Sequence, residues 1–219
     1  TGLIVPRDKA ADFARAPAAD QAETPGKIEV SDIRKVTLDN GLTVLLRRNS
    51  AVPLAAIQVH FRGGLLGEPA GKEGISRLMV QAALRGTESR SAQQIFGAFE
   101  RAGGSLGSQS GRNSFNFTAS VLSSELADTL PIFADVVLNP SFPADELEKL
   151  RERALASIAR VDDRLGSSAS RFFFRNYFGD HPYGNLAQGT VESVKRLSAD
   201  DLAAFHDRFV VAPNGVLAI

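Results

Sequence analysis

An Asn40-Gly41 pair between two apolar runs is the strongest local constraint on how this chain can fold. The segments on either side cover residues 33–38 and 42–46, and in the second the apolar residues Leu42, Val44 and Leu46 stand at every second position. Asn-Gly is the strongest short-range signal for a β-hairpin, because both residues tolerate the positive φ angles that the tight turn requires. The chain is therefore predicted to pair residues 33–46 as an antiparallel hairpin, with positive φ at both turn residues.

The other predicted elements arrive in blocks of strands and blocks of helices. A strand is predicted at 54–61, a second hairpin at 105–121 around Gly111-Arg112-Asn113, and a final strand at 214–219. Apolar periodicity and capping residues predict helices at 72–85, from Ser91, from Ser123, from Pro143, around 172–177 and at 198–209. This order favours an α+β fold, with a mixed, largely antiparallel sheet packed against helices, over a doubly wound parallel sheet.

Composition excludes several classes of partner. The 219 residues carry 25 basic and 25 acidic side chains, so nothing indicates binding to nucleic acid or to an anionic membrane surface. The absence of cysteine excludes disulfides and thiolate metal sites. No apolar run approaches the roughly 20 residues needed to span a bilayer, so we expect a soluble chain without a membrane span.

Residues 1–32 and 33–219 differ in character. The first segment is rich in Ala, Pro and Asp and lacks apolar periodicity, which predicts a linker or an extended arm. Regular structure is expected over residues 33–219, as one α/β domain. The chain stops within its last predicted strand, so we expect one unit of a longer protein or an excised domain.

The residues taken alone nominate no catalytic centre. His60, His181 and His206 fall in a strand, a loop and a helix, and no two have the i,i+4 spacing of a helical metal pair. A structural role is the interpretation of each. Neither a Gly-x-Ser-x-Gly nucleophile turn nor a phosphate-binding glycine loop occurs in the sequence.

Seven ordered segments nevertheless resemble one known family, the insulinase/pitrilysin-like metallopeptidases, across about residues 33–219. They are Lys35-Val-Thr-Leu-Asp-Asn-Gly-Leu-Thr-Val-Leu-Leu, Val59-His-Phe-Arg-Gly-Gly with Glu68-Pro-Ala-Gly-Lys-Glu-Gly-Ile-Ser, Arg85-Gly-Thr-Glu-Ser-Arg-Ser, Ala102-Gly-Gly-Ser-Leu, Leu138-Asn-Pro-Ser-Phe-Pro, Asp180-His-Pro-Tyr-Gly and Pro213-Asn-Gly-Val-Leu. The resemblance implies a mitochondrial-processing-peptidase-like metallohydrolase domain.

The same resemblance implies that the zinc site is degenerate. Active members carry H-x-x-E-H on the helix after the third strand, where two histidines bind zinc and the glutamate acts on the bound water. Arg77, Val80 and Gln81 stand at those positions, and Ser157 aligns with the third ligand, a glutamate on a later helix. Leu150 aligns with an acidic neighbour of that ligand. We therefore expect neither zinc nor catalysis here, and zinc only in a partner domain.

Two interpretations of the altered helix remain open. In the first, Leu78, Met79 and Val80 are core, and Arg77 and Gln81 lie on the half-open face of the helix. In the second, Arg77 recognises a carboxylate, such as a peptide terminus or a glutamate of a partner.

The family also suggests a role and a location. Substrate peptides in active members add a strand to a sheet edge, and the matching strand here begins Ser105, Leu106, Gly107 and Ser108. Gly107-Ser108 replaces the family's Asn-Ala, which weakens the expectation of peptide binding. We expect a noncatalytic domain that shapes a peptide-binding chamber or pairs with a catalytic zinc-bearing domain. The alternatives are an assembly scaffold without peptide binding, or part of a zinc-dependent endopeptidase whose active site lies in another domain. The bacterial periplasm is the favoured compartment.

A run of three phenylalanines predicts an exposed apolar surface. Successive helical residues are about 100° apart, so Phe172, Phe173 and Phe174 cannot all face one core. We expect at least one to point away from the domain's own core, towards solvent or a partner, so that the isolated domain self-associates or exposes an apolar patch that a second unit normally covers. The alternative is that neighbouring loops bury all three.

Overall fold

A single mixed sheet organises the computed structural model, which describes residues 33–160 and 165–219. The sheet order is β1-β2-β6-β3-β5-β4, and every neighbouring pair is antiparallel except the parallel pair β2 and β6. The strands are β1 Ile33–Thr37, β2 Thr43–Arg47, β3 Leu54–Arg62, β4 Ser105–Ser110, β5 Ser114–Leu122 and β6 Gly215–Ala218. The predicted α+β class is confirmed, whereas the prediction for residues 1–32 lies outside the described residues.

The α-helices of the described residues follow the predicted blocks. They are α1 Ile75–Ala83, α2 Ala92–Arg101, α3 Leu126–Leu138, α4 Ala144–Ala159, α5 Leu165–Phe178, α6 Val191–Arg196 and α7 Ala199–Phe209. The capping boxes of Ser91 and Ser198 begin α2 and α7 as their sequences predict. The helix expected from Ser123 begins instead with a 3-10 turn over Ser123–Glu125. Helix α6 was not predicted.

The first hairpin forms in the predicted register, but its turn differs from the prediction. Val36 pairs with Val44, and the Leu38 carbonyl accepts the Gly41 N–H at 2.8 Å. Gly41 has a φ of 88°, while the one non-glycine with positive φ in the described chain is Phe142. The prediction of positive φ at Asn40 is therefore wrong. Its Oδ1 accepts the Leu42 N–H at 3.1 Å, which suits a four-residue turn over 38–41 that ends on the left-handed Gly41.

Helix α1 is shorter than the predicted span of 72–85 at both ends, and its late start at Ile75 follows from how that start is built. Its N-cap residue, Gly74, has a left-handed φ of 90°. A half-buried carboxylate then replaces the usual capping side chain: Glu68 accepts the N–H groups of Gly74 at 2.8 Å and Ser76 at 3.1 Å. A Cβ atom on Gly74 would lie 2.8 Å from the Gln188 carbonyl oxygen, so glycine lets the 188–189 loop pack closely against the helix start.

The core lies between the sheet and the helices. Alternate residues of β5 are buried, namely Phe115, Phe117, Ala119 and Val121. Helix α1 contacts this strand, β4, α4 and α7, and buries Met79, Val80 and Ala83 almost completely. The face of α1 that these elements do not cover is therefore exposed. Within residues 33–160 and 165–219, no helix has both the length and the hydrophobicity needed to cross a membrane.

Candidate functional site

Helices α1 and α4 and the edge strand β4 surround a cavity of about 390 Å³. Residues far apart in the sequence meet there: Arg77 and Gln81 from α1, Leu106 and Ser108 from β4, Leu150 and Ser157 from α4. Three of the four residues that the family resemblance nominated as former zinc positions thus line one concave site. Leu150, aligned with the supporting acidic residue, lines it as well.

Val80 is the nominated position that does not line the cavity. It is 1% exposed and belongs to the core, together with Leu78 and Met79, whereas Arg77 is exposed and Gln81 half-buried. The helix therefore has the apolar core side and the polar, partly open side that the first interpretation expects. The second interpretation, recognition of a carboxylate by Arg77, stays a prediction. Arg77 is thereby free to meet a ligand as well as solvent.

Strand β4 is an edge strand, as its predicted role in peptide binding requires. Its Leu106 and Ser108 side chains line the cavity, whereas Ser105 and Gly107 do not. The Ser108 hydroxyl donates to the Val80 carbonyl at 2.8 Å, which ties the strand to α1. Since that bond uses the only hydroxyl proton of Ser108, its side chain offers a ligand an acceptor and no donor.

Helix α4 is held in place by its buried residues and by one arginine. Leu147, Leu150 and Ile158 are buried, and the Arg151 Nη2 atom donates to the Leu197 carbonyl at 2.8 Å. The Nη1 atom of the same guanidinium donates to the Val194 carbonyl. These bonds dock α4 beside α6. Arg153 and Ser157, four residues apart, then share the helix face that borders the cavity.

The cavity is cationic. Arg77, Arg85 and Arg153 line it, and none of the lining residues, all within the described chain, is Asp, Glu, His or Cys. Zinc requires imidazole, thiolate or carboxylate ligands, and guanidinium cannot be deprotonated to serve as one. The residues present therefore do not fit zinc. Nor do residues 33–160 and 165–219 contain any other cluster of three His, Cys, Asp or Glu side chains suited to a metal.

The three histidines have structural surroundings, as predicted. His206 is 5% exposed, and its Nε2 atom lies 2.9 Å from the Val137 carbonyl oxygen. His181 caps the 3-10 turn Pro182–Gly184, where its Nδ1 accepts the Tyr183 N–H at 3.2 Å. His60 pairs with Asn116 between β3 and β5. They lie in three separate elements, and none lines the cavity.

Three polar residues of the site were not nominated from the sequence. Arg85 follows Gln81 by four residues and Arg153 precedes Ser157 by four, so helical spacing from the nominated positions was a usable signal. Gln188 reaches the cavity from the loop that packs on Gly74. No local sequence pattern announces that contact, because it depends on tertiary packing.

One ionisable group beside the site is strongly perturbed. Burial raises the pKa of Glu68 to about 7, although hydrogen bonds from Ser76 and Gly74 oppose the shift, and the nearby charge of Glu73 adds to it. The Glu68 carboxyl also accepts the Ser76 hydroxyl at 2.6 Å, and Ser76 lies 2.8 Å from the Ser110 hydroxyl of β4. Glu68 thus connects the start of α1 to the edge strand, and it does not line the cavity.

A comparison of sequences identifies relatives of the described domain. The profile of the family described as Insulinase (Peptidase family M16) matches residues 43–190. An uncharacterized zinc protease of Rickettsia bellii is 30% identical over 182 residues, covering 83% of this chain and 44% of the relative. One from Mycobacterium leprae is 31% identical over 185 residues, covering 84% and 42%. The chain therefore spans less than half the length of these curated relatives.

Solved structures share the fold. A structure from Pseudomonas fluorescens, described as a peptidase M16 inactive domain, superposes with a TM-score of 0.81 at 24% identity, covering 85% of this chain and 46% of that one. Pitrilysin superposes with a TM-score of 0.75 at 19% identity, covering 85% of this chain and 20% of its own. At these identities the likeness concerns the fold alone.

Proposed function

The chain belongs to the insulinase family, peptidase family M16, and from that premise we propose that it is a noncatalytic domain of a zinc-peptidase-family protein. In this role it shapes a peptide-binding chamber or pairs with a catalytic, zinc-bearing domain. Residues 33–219 would be one unit of a longer protein, and residues 1–32 a linker or arm. By family resemblance we also propose the bacterial periplasm as its compartment, which cell fractionation would test.

The observation that carries the proposal is the chemistry of the cavity between α1, β4 and α4. Arg77, Gln81 and Ser157 stand at the aligned ligand positions, and the cavity has three arginines and no acidic or imidazole side chain. Val80, at the aligned position of the catalytic base, is an apolar core residue. Without metal ligands and a base, the cavity can hold a peptide but has no means to activate water.

The test uses the purified chain, alone and together with an M16 chain from the same genome that retains H-x-x-E-H. Cleavage of a quenched fluorescent peptide library is measured with zinc added. Alone, the chain should give no cleavage above buffer. With the catalytic chain it should co-elute on size exclusion and change the KM for peptides. Chelator-sensitive cleavage by the chain alone would contradict the proposal.

The second candidate is an assembly scaffold, which would co-elute with the catalytic chain but leave its KM and peptide selectivity unchanged. The third is part of a zinc-dependent endopeptidase whose active site lies in another domain. It is favoured by the names and the length of the curated relatives, of which this chain covers less than half. Sequencing through both ends of the coding region would decide it, because a linked H-x-x-E-H domain would appear there.

The aromatic face of α5 supports a partner surface. Phe172, Phe173 and Tyr177 are 72%, 56% and 71% exposed, and the Phe173 and Tyr177 rings stack at 5.3 Å. The expectation that at least one phenylalanine of the run points outward is confirmed, and burial of all three is excluded. Contiguous exposed aromatic area of this kind is typical of an interaction surface, so we include contact with a second unit in the proposal.

Light scattering tests that surface over a concentration series. The chain should self-associate or bind its partner unit, and the double substitution Phe172→Ser with Phe173→Ser should shift the mass to that of a monomer. Because both side chains face solvent, folding should be preserved, as circular dichroism would show. A strictly monomeric parent chain that also fails to bind a catalytic M16 chain would contradict this part of the proposal.

A further inference from the structure

We infer that the cavity between α1, β4 and α4 is a carboxylate-recognition site, in which Arg77 and Arg153 bind a negatively charged group of a peptide lying along β4. This inference rests on the proposed function, since it names the ligand of that chamber wall. It adds a recognition chemistry that replaces metal binding at the same place in the fold.

The first support is the lack of partners for the cavity arginines. In the part of the chain that the structure describes, neither Arg77 nor Arg153 takes part in a hydrogen bond or an ion pair, although both border the cavity. Other arginines are engaged: Arg90 pairs with Asp135 at 2.6 Å, and Arg151 holds backbone carbonyls. Two unpaired guanidinium groups at one concave site repel each other, and a bound anion relieves that repulsion.

Arg85 provides a second, independent observation. Its Nε atom is buried and has no hydrogen-bond partner among the described residues, while its guanidinium carbon lies 5.3 Å from the centre of the Phe96 ring. A buried donor without an acceptor is unfavourable, and in native proteins such a donor is commonly satisfied by a ligand or an ordered water. Since Arg85 and Phe96 both line the cavity, a third cation is held at its wall.

The position of β4 indicates a peptide as the carrier of the charge. The strand lies at the sheet edge, where an extended peptide can add as a further strand. Leu106 and Ser108 alternate along β4 with their side chains on the cavity, so a peptide paired there passes its mouth. A carboxylate is the group of a peptide that a guanidinium binds most strongly, through two parallel hydrogen bonds.

Three peptides test the inference on the intact chain by fluorescence anisotropy. All are six-residue peptides of one sequence that is otherwise uncharged, labelled at the N-terminus. One has a free C-terminal carboxylate, one is amidated, and one is amidated with a central Glu in place of Gln. The carboxylate peptide, the Glu peptide or both should bind about tenfold or more tightly than the uncharged amidated peptide, as expected for a charge-assisted pair. The two charged peptides distinguish a chain terminus from an acidic side chain.

Variants assign the effect to the cavity. Arg77→Gln and Arg153→Gln should each reduce the preference for carboxylate about tenfold, and Arg77→Lys should retain part of it, because a lysine keeps the charge but not the planar fork. Arg101→Gln, an exposed arginine on α2 outside the cavity, is the matched control and should change nothing. The preference should also weaken as salt is raised.

Two results would overturn the inference. One is equal binding of the two charged peptides and the uncharged amidated peptide, or no binding of any. The other is a carboxylate preference that Arg77→Gln and Arg153→Gln both leave intact while circular dichroism shows them folded. Neither result concerns the proposal that the domain is noncatalytic, which zinc-dependent cleavage tests. Carboxylate recognition and the lack of catalysis can therefore be refuted independently.

Discussion

Charged side chains near the two ends of helix α1 are paired within the protein, whereas the charged side chain on its cavity face is not. At the start, the Glu68 carboxyl takes three hydrogen bonds from Gly74 and Ser76. Beyond the end, the Asp135 carboxylate holds the segment that follows the helix, with bonds from Thr87 at 2.8 Å and Arg90 at 2.6 Å. The cavity face presents Arg77 with no such partner in the described chain.

This contrast separates groups that support the fold from groups available to a ligand. Burial alone would raise the pKa of Asp135, but hydrogen bonds from its neighbours Asn139, Thr87, Ser89 and Arg90 lower it below the ordinary value of 3.8. The acceptor oxygens of such a carboxylate are already engaged by groups of the protein itself. A guanidinium left unpaired in a concave site contributes little to stability, so its effect should appear in binding.

The largest expected effect is the pH dependence that Glu68 gives to stability. Its pKa rises from 4.5 to about 7 on folding, so the folded state binds its proton more tightly than the unfolded state. The contribution is complete below pH 4.5 and is lost as the pH rises through 7, by about 3 kcal/mol in total. Urea unfolding of the parent and of Glu68→Gln across this range should show a difference of that sign.

Glu68→Gln is the informative variant because it stays neutral at every pH and keeps an acceptor oxygen for the helix start. Its stability should therefore fall less than that of the parent between pH 4.5 and 7. Parallel curves for the two proteins would show that the carboxyl titrates normally, and the start of α1 would then need another explanation.

The next effect separates the supporting carboxylate from the cavity arginine. Asp135→Ala should lower the free energy of unfolding by about 2 kcal/mol, because it leaves the buried Thr87 hydroxyl and the Arg90 guanidinium without their acceptor. Arg77→Ala should change it by no more than about 0.5 kcal/mol. Denaturant melts measure both, and a large loss in the second variant would mean that Arg77 supports the fold.

The smallest expected effect is on activity after local reversion. Arg77→His, Val80→Glu and Gln81→His together restore the motif on α1 but leave Ser157 at the third ligand position and Arg153 on the same wall. Zinc with two ligands beside a guanidinium should bind weakly, so peptide cleavage should stay at background. Robust cleavage by the triple variant would show that the alignment of Ser157 is wrong.

Sequence reasoning reached most of the fold because strong local signals coincide with its elements. Alternating apolar positions predicted both hairpins, and the capping residues Ser91 and Ser198 predicted where two helices begin. Helix α6 was not predicted because its six residues, Val191–Arg196, are too few to show a helical period of apolar residues. Its capping box was a usable signal, since the Thr190 hydroxyl accepts the Ser193 N–H at 3.0 Å.

The site was only partly predictable. Family resemblance nominated Arg77, Gln81 and Ser157, which the fold brings to one cavity. The character of that cavity depends on Arg85, Arg153 and Gln188, and Gln188 arrives through the close packing of a loop on Gly74. Such packing between residues more than a hundred positions apart leaves no local pattern to read.

Metal content tests the central claim most directly, namely that this M16 domain has lost zinc catalysis. The chain is dialysed against zinc, then against buffer, and zinc per chain is measured by atomic emission. We predict well below one zinc per chain, because the cavity has three arginines and no acidic or imidazole ligand. One tightly held zinc per chain, lost on substitution within residues 77–81, would contradict the account.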